Sequence, residues 1–212
     1  WYNMTLTCVD VETIDKRGRI CQLGVAKVFK GEVIQTWQRL VNPGFPIRDE
    51  ARLIHGISDE MVKDAPRLID IIPEFMSELT AGGGIDILCG YNLNYDITHL
   101  NFQLGNFFRD PIRNVPKFVP LVIVGMGNVG SGWAGKGRHK QTNVARHLGL
   151  PVDESKAHGA GYDAALAGRI MWHLREYVPS DPWVANNLLI KTKIKQDLDF
   201  DAWLRRKEAK DR

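Results

Sequence analysis

Three short stretches hold the residues whose types and spacing could do chemistry. DVET places Asp10 and Glu12 two apart, DITHL opens on Asp96, and HGAGYD sets His158 and Asp163 five apart. On an extended strand, residues i and i+2 leave the same face, so Asp10 and Glu12 stand side by side. Two carboxylates so placed repel each other unless a cation or a proton intervenes. Asp96 and Asp163 each fall where a helix is expected to begin, and an acid there also suits the helix dipole, so either alone reads as a helix-end charge. His158 taken singly reads as a loop histidine. In combination, a sheet pair plus acids on the first turns of two helices is a geometry that gathers four carboxylates around one point. Hard oxygen ligands of that kind select Mg²⁺ or Mn²⁺ over zinc.

The elements that must position these residues follow from periodicity. MTLTCVDV at 4–11 is β-branched and apolar, reads as a central strand, and puts Cys8, Asp10 and Glu12 on one face. RICQLGVAKVF and EVIQTWQRLV, joined by the turn signal KG, complete a β-meander. Residues 49–79 read as helical, with Pro66 beginning a helix whose apolar positions Leu68, Ile71, Ile72, Phe75, Met76 and Leu79 follow the 3.6-residue period. AGGGIDILCGYN gives a loop and a short buried strand, and Ile97, Leu100, Phe102, Leu104 and Phe107 mark a helix capped by Asn92 or Asn94. FVPLVIV reads as a further strand, followed by a Gly-rich loop and helices at 141–149 and 163–177. The tail from 183 is expected to be helical, docked by Trp183 and Trp203. Strands first and helices interleaved later predict an α/β fold with a mixed sheet flanked by helices.

At 212 residues the chain suits one well-buried core and is short for two full domains. No apolar run approaches the roughly 20 residues of a membrane helix, and no signal peptide opens the chain, so a cytoplasmic protein without a membrane partner is expected. The opening WYNM is compatible with a cut fragment and with a native start at Met4. Cys8, Cys21 and Cys89 sit singly in apolar stretches, which predicts buried reduced thiols and neither a zinc site nor a disulfide frame. The net charge of +3 is only a weak bias towards anions, but basic residues gather at Lys136, Arg138, Lys140 and Arg146 and again through the tail from Lys191 to Arg212. Each cluster alone reads as a solvated face or as a track for a phosphate backbone.

With these residues in order, the sequence resembles the DnaQ-like DEDDh 3′–5′ exonucleases of the ribonuclease H-like superfamily. DVET, NLNYDITHL and HGAGYDAA look like that family's three motifs, and NPGFPIRDEARLIHGISDEMVKDAP looks like its connecting segment, in which IHGI helps wall the substrate pocket. The resemblance covers roughly residues 5–177 and implies an exonuclease domain at 1–180 with a basic helical extension at 181–212, packed on it or trailing from it. It implies a ribonuclease H-like sheet and hydrolysis of phosphodiester bonds at 3′ ends, releasing nucleoside 5′-monophosphates. By resemblance, two divalent cations, Mg²⁺ or Mn²⁺, stand roughly 3.5 to 4 Å apart. Asp10 would bridge them, Glu12 and Asp163 hold the one that activates water, and Asp96 support the second. His158 is then the general base, a role worth typically 10²- to 10⁴-fold. The small residues around it are expected to let the imidazole swing in. Thr13, Ile14, His55 and Asn92 are implied near the terminal nucleotide. The implied partner is nucleic acid with single-stranded or frayed 3′ ends, DNA favoured over RNA because of the IHGI segment, with a polymerase or a second copy as further partners.

The chain also departs from the family. Ile14 and Asp15 stand where Thr or Ser and then Gly are usual, Gly159 stands where Arg often follows the base, and PLVIVGMGNVGSGWAGKGRHK replaces a strand end of the DTL type. That last segment supplies the rival readings. GMGNVG at 125–130 fits a dinucleotide fingerprint and GSGWAGKG at 130–137 a phosphate loop lacking its final Ser or Thr, yet further glycines and Trp133 follow in place of a helix. Nucleotide-cofactor binding at 125–137 is therefore the lesser reading beside a mobile flap over nucleic acid. If deleting 127–137 leaves the dependence of rate on oligonucleotide length unchanged, the flap is wrong. A non-catalytic nucleic-acid-binding module of the same fold is the second rival.

Overall fold

The computed structural model describes residues 1–15, 17–126, 137 and 139–210. β1 (Leu6–Thr13), β2 (Ile20–Phe29) and β3 (Glu32–Leu40) form the meander. The β2–β3 turn has positive φ at both Lys30 and Gly31, the conformation that matches a two-residue hairpin to the strand twist. Helices α1 (Asp49–His55), α2 (Asp59–Val62) and α3 (Leu68–Thr80) follow, then β4 (Ile87–Cys89) and α4 (Leu93–Leu104). The chain continues through α5 (Asn106–Ile112), β5 (Lys117–Phe118), α6 (Pro120–Val124), α7 (Gln141–His147), α8 (Ala160–His173) and α9 (Pro182–Lys210). The five-stranded sheet has the order β3-β2-β1-β4-β5, antiparallel within the meander and parallel from β1 to β4 to β5. This is the mixed sheet flanked by helices that the patterning predicts.

β1 occupies the centre of the sheet, so its backbone is paired on both sides while its carboxyl end opens beside the start of α4. On the face carrying Cys8, α8 lies close to the strands. A methyl on Gly168 would meet Cys8 Sγ and Val28 Cγ2 at 2.6 Å. On β2, Lys27 is buried and donates to Thr7 Oγ1 at 2.9 Å and to the Leu79 carbonyl at 2.7 Å, tying the meander to the last turn of α3. The main core packs around the sheet, and a smaller cluster of Ile14, Cys21, Ile47, Ile57 and Val62 fills the space under α1 and α2.

Several expectations are corrected. FVPLVIV is a strand only at its first residue, Phe118, the end of β5; Pro120 then takes the first position of α6, where its missing N–H costs nothing, and Val122, Ile123 and Val124 are buried on a helix. Phe102 faces outward because it lies two residues from both Leu100 and Leu104, on the opposite side of α4, and Phe107 because Gly105 restarts the chain as α5, which buries Phe108. Asn92 holds the cap position of α4 but makes no capping hydrogen bond. The tail is helical, yet Trp183 and Trp203 are each 48% exposed; α9 docks through Ala185 and Leu189 and through Asn186 Oδ1, which accepts from Lys117 N at 2.8 Å. The three cysteines are free and buried. Residues 127–136 and 138 lie outside the described residues, and with them most of the Gly-rich motifs, the flap, Lys136 and Arg138. Among the described residues no helix is long and apolar enough to cross a membrane.

Candidate metal and active site

The carboxyl end of β1, the first turn of α4 and the first turn of α8 meet at one place. Asp10 and Glu12 pair across the ladder with Gly24 and Gln22 of β2, so all four share the sheet face that α8 covers. A register shift between Glu12 and Thr13 ends the regular ladder just past the acids, a common device for re-aiming side chains at a site. Asp96 is buried in the first turn of α4 and accepts a 3.2 Å hydrogen bond from Val11 N, which fastens the helix start to β1. Asp163 is buried in the first turn of α8.

The start of α8 is held by the sheet. Gly159, at its cap position, has no side chain to offer. Instead Ala160 N donates to Gln22 Oε1 at 2.9 Å and Gly161 N to Gln38 Oε1 at 3.2 Å. The contact is so close that a methyl on Gly24 would lie 2.1 Å from the Ala160 carbonyl carbon. The small residues of HGAGYD are expected to loosen a loop; at Ala160 and Gly161 they serve close packing, because both are buried where the helix start lies on the strands.

Burial and proximity make charge costly throughout the cluster. Burial raises Asp10 well above the ordinary carboxylate range, and the charges of Asp96, Glu12 and Asp163 raise it further. Glu12 is pushed up to about 8 by burial and by Asp163 and Asp96. Burial lifts Asp96 to about 7 against the opposing hydrogen bonds from Val11 and its own backbone. Asp163 is also raised by burial, opposed by the charge and backbone N–H of His158. One ligand atom each from Glu12, His158 and Asp163 lies within 4.8 Å of the others. Asp163 Oδ1 is buried and, among the described residues, has no hydrogen-bond donor. Leaving a buried acceptor unmatched costs about 1–3 kcal/mol, more for a charge. Acids held together against mutual repulsion, with one oxygen unsatisfied, fit divalent cations.

His158 stands apart in character. Its side chain is 53% exposed, its Nδ1 lies 4.0 Å from Asp163 Oδ2, and its backbone is left-handed at φ 64°. Histidine tolerates that region better than most residues, at a cost of about 1 kcal/mol or more.

Beside the acids a pocket of ≈ 620 Å³ is walled by Glu12, Thr13, Arg48, His55 and Tyr95 among others. Ile57 N donates to His55 Nδ1 at 3.0 Å, so Nε2 carries the proton and donates to the Thr13 carbonyl at 3.3 Å. Burial lowers the His55 pKa, favouring that neutral form. Thr13 Oγ1 and the Tyr95 hydroxyl lie 2.8 Å apart. Ile14, implied beside the nucleotide, is 1% exposed and belongs to the small cluster under α1 and α2; its side chain is a core residue and not a pocket wall. Asp15 accepts from Arg17 N at 2.9 Å and pairs with Arg19, closing the turn that the unusual Ile–Asp continuation creates. Sequence reasoning missed Tyr95, Gln22 and Gln38. Only Gln22, a lone amide in an otherwise apolar stretch of β2, left a signal.

The family model described as "Exonuclease" matches residues 6–171. The DNA polymerase III PolC-type of Oceanobacillus iheyensis is 26% identical over 180 residues, covering 82% of this chain and 12% of that protein. The DNA polymerase III PolC-type of Streptococcus mutans is 24% identical over 199 residues, covering 92% of this chain and 13% of that protein. The chain thus spans about an eighth of the length of these curated relatives. Among solved structures, Exonuclease X in complex with 5′ overhanging duplex DNA aligns with a TM-score of 0.62 at 20% identity, over 87% of this chain and 99% of that one. The nuclease domain of 3′hExo, a DEDDh family member bound to rAMP, aligns with a TM-score of 0.59 at 16% identity, over 82% and 93%.

Proposed function

The chain belongs to the exonuclease family and is an enzyme with a ribonuclease H-like fold, and from that premise we propose that it removes nucleoside 5′-monophosphates from the 3′ ends of nucleic acid, DNA in preference to RNA. The observation that carries the reading is the gathering of Asp10, Glu12, Asp96 and Asp163 at the end of β1, each raised by burial and Asp163 with an unmatched oxygen. The four carboxylates would hold two divalent cations, Mg²⁺ or Mn²⁺. When bound, these supply acidification of the attacking water and neutralisation of charge on the phosphate and the departing 3′ oxygen.

The chain's own residues do the rest. Asp163 faces His158 Nδ1 and orients the imidazole, which takes a proton from the attacking water at its solvent-facing side. The pocket beside Glu12 is within the 300–1,000 Å³ range of small-molecule sites and receives the terminal nucleotide. There Thr13 and Tyr95 offer hydroxyls, and His55, locked as one tautomer by Ile57, a rigid wall; Asn92, at the cap position of α4, lies outside that lining and would meet the nucleotide from the loop before Asp96. DNA preference draws support from the similarity to DNA polymerases, and the neighbour bound to rAMP makes RNA the necessary comparison. A cytoplasmic setting, a polymerase or second copy as partner, and a 1–180 catalytic unit followed by a basic extension belong to the same proposal.

The test is a 5′-labelled oligonucleotide, as DNA and as RNA, incubated with Mg²⁺ and with EDTA. A ladder shortening from the 3′ end, dependent on metal and faster on DNA, is expected. A folded protein that retains oligonucleotide but leaves every 3′ end intact would replace this reading with a non-catalytic binding module.

A further inference from the structure

We propose that Gln22 and Gln38 are positioning residues: from neighbouring strands they fix where α8 begins, and so where Asp163 stands relative to Asp10 and Glu12. The inference rests on the metal-dependent reading above. The first N–H groups of a helix need acceptors, ordinarily from a Ser, Thr, Asp or Asn at the cap position. With Gly159 there, two amide oxygens from the sheet do that work, on Ala160 N at 2.9 Å and on Gly161 N at 3.2 Å.

The register makes the arrangement specific. Asp10, Gly24 and Gln38 are cross-strand neighbours in one row, and Glu12, Gln22 and Leu40 in the next. Within the first row the absent side chain of Gly24 makes room for the helix start between the carboxylate of Asp10 and the amide of Gln38. The helix that carries Asp163 is thereby tied by two hydrogen bonds to β2 and β3, and through the β2 ladder to the strand that carries half of the acids. A helix advances 1.5 Å per residue, so slippage of its start would carry Asp163 out of reach of a shared cation.

The residue type is as telling as the position. A carboxylate would suit the positive end of the helix better than an amide does. At position 22, however, it would stand directly opposite Glu12 in the ladder, and like charges so placed destabilise. Glutamine supplies the acceptor without the charge.

Mn²⁺ binding to the full chain, without substrate, followed by the electron paramagnetic resonance signal of the free ion, reads the effect directly. Groups that orient metal ligands typically affect affinity by 10- to 100-fold, so Gln22→Ala is expected to weaken Mn²⁺ about tenfold or more, and Gln38→Ala by less. Gln38→Glu keeps the acceptor and should restore wild-type affinity. On oligonucleotide, kcat at fixed metal falls with the alanine variants while KM holds. If Gln22→Ala does not fold, the Gln38→Ala and Gln38→Glu pair decides. Alanine variants that are folded and bind Mn²⁺ as the wild type does would overturn the inference, as would equal weakening by Gln38→Glu. A wild-type protein that takes up no Mn²⁺ would instead overturn the metal-dependent reading itself.

Discussion

Asp10 and Glu12 leave the central strand of the sheet, just past the end of its β4 ladder and still paired with β2, whereas His158 leaves an exposed approach with a left-handed backbone. The acids sit where charge is costly: burial raises all four, and the charges of neighbouring acids raise Asp10 and Glu12 further. The histidine is half exposed, reaching the cluster beside Asp163 and Glu12. The contrast teaches a division of labour. On the proposed reading, the groups that would hold cations sit on regular elements, and the group that would exchange a proton with solvent sits where solvent reaches it.

Removing one member from each side should therefore have different consequences. Asp163→Asn takes away a ligand charge worth several kcal/mol in the transition state, so the single-turnover rate should fall about 10⁴-fold. Its metal-free melting temperature should hold or rise, because a repelling charge has gone. A variant that loses stability and activity together would mean Asp163 is structural. His158→Asn keeps a side chain suited to left-handed backbone while deleting the base. The rate should fall about 10³-fold, within the range for a general base, with Mn²⁺ affinity and melting temperature little changed. An unaltered rate would remove His158 from the proposal.

Proton linkage sharpens the comparison from the acidic side. Glu12 is held at about 8 against an ordinary 4.5, and Asp96 at about 7 against 3.8. Both are raised, so the metal-free fold keeps protons that the unfolded chain releases. That contribution is complete below about pH 4 and is lost as pH climbs through 7 and 8. Without metal, the melting temperature should drop by roughly 5–10 °C between pH 5 and pH 9. Mn²⁺ should cancel most of the drop, since the cations require the deprotonated acids. A flat profile without metal would show that burial does not raise Glu12 and Asp96 as described. The smallest expected effect is at the pocket, where Tyr95→Phe removes the hydroxyl beside Thr13. A neutral hydrogen bond is worth about 1 kcal/mol, so KM should rise about fivefold with kcat retained.

The legible part of this molecule was the part governed by local pattern. Alternation along 4–11 gave β1 and its shared acidic face, and the runs behind Asp96 and Asp163 gave the two helices, which begin three residues earlier, at Leu93 and Ala160. What escaped depends on distant partners. FVPLVIV is an apolar run that suits a buried strand and a buried helix equally, and Pro120 decides for the helix only once β5 has ended. Ile14 reads as a pocket residue until α1 and α2 are seen to close over it. Trp183 and Trp203 look like anchors by size, yet Ala185, Asn186 and Leu189 face the body. Gln38 has no local signature, because its partner, Gly161, lies 123 residues further along.

The central claim is that four acids distant in sequence form one cation cage at the end of β1. Anomalous diffraction from crystals soaked in Mn²⁺ tests it most directly. Two peaks about 3.5–4 Å apart, flanking Asp10 and reached by Glu12, Asp96 and Asp163, are the expected result. Well-diffracting soaked crystals with no anomalous density among those four side chains would contradict it.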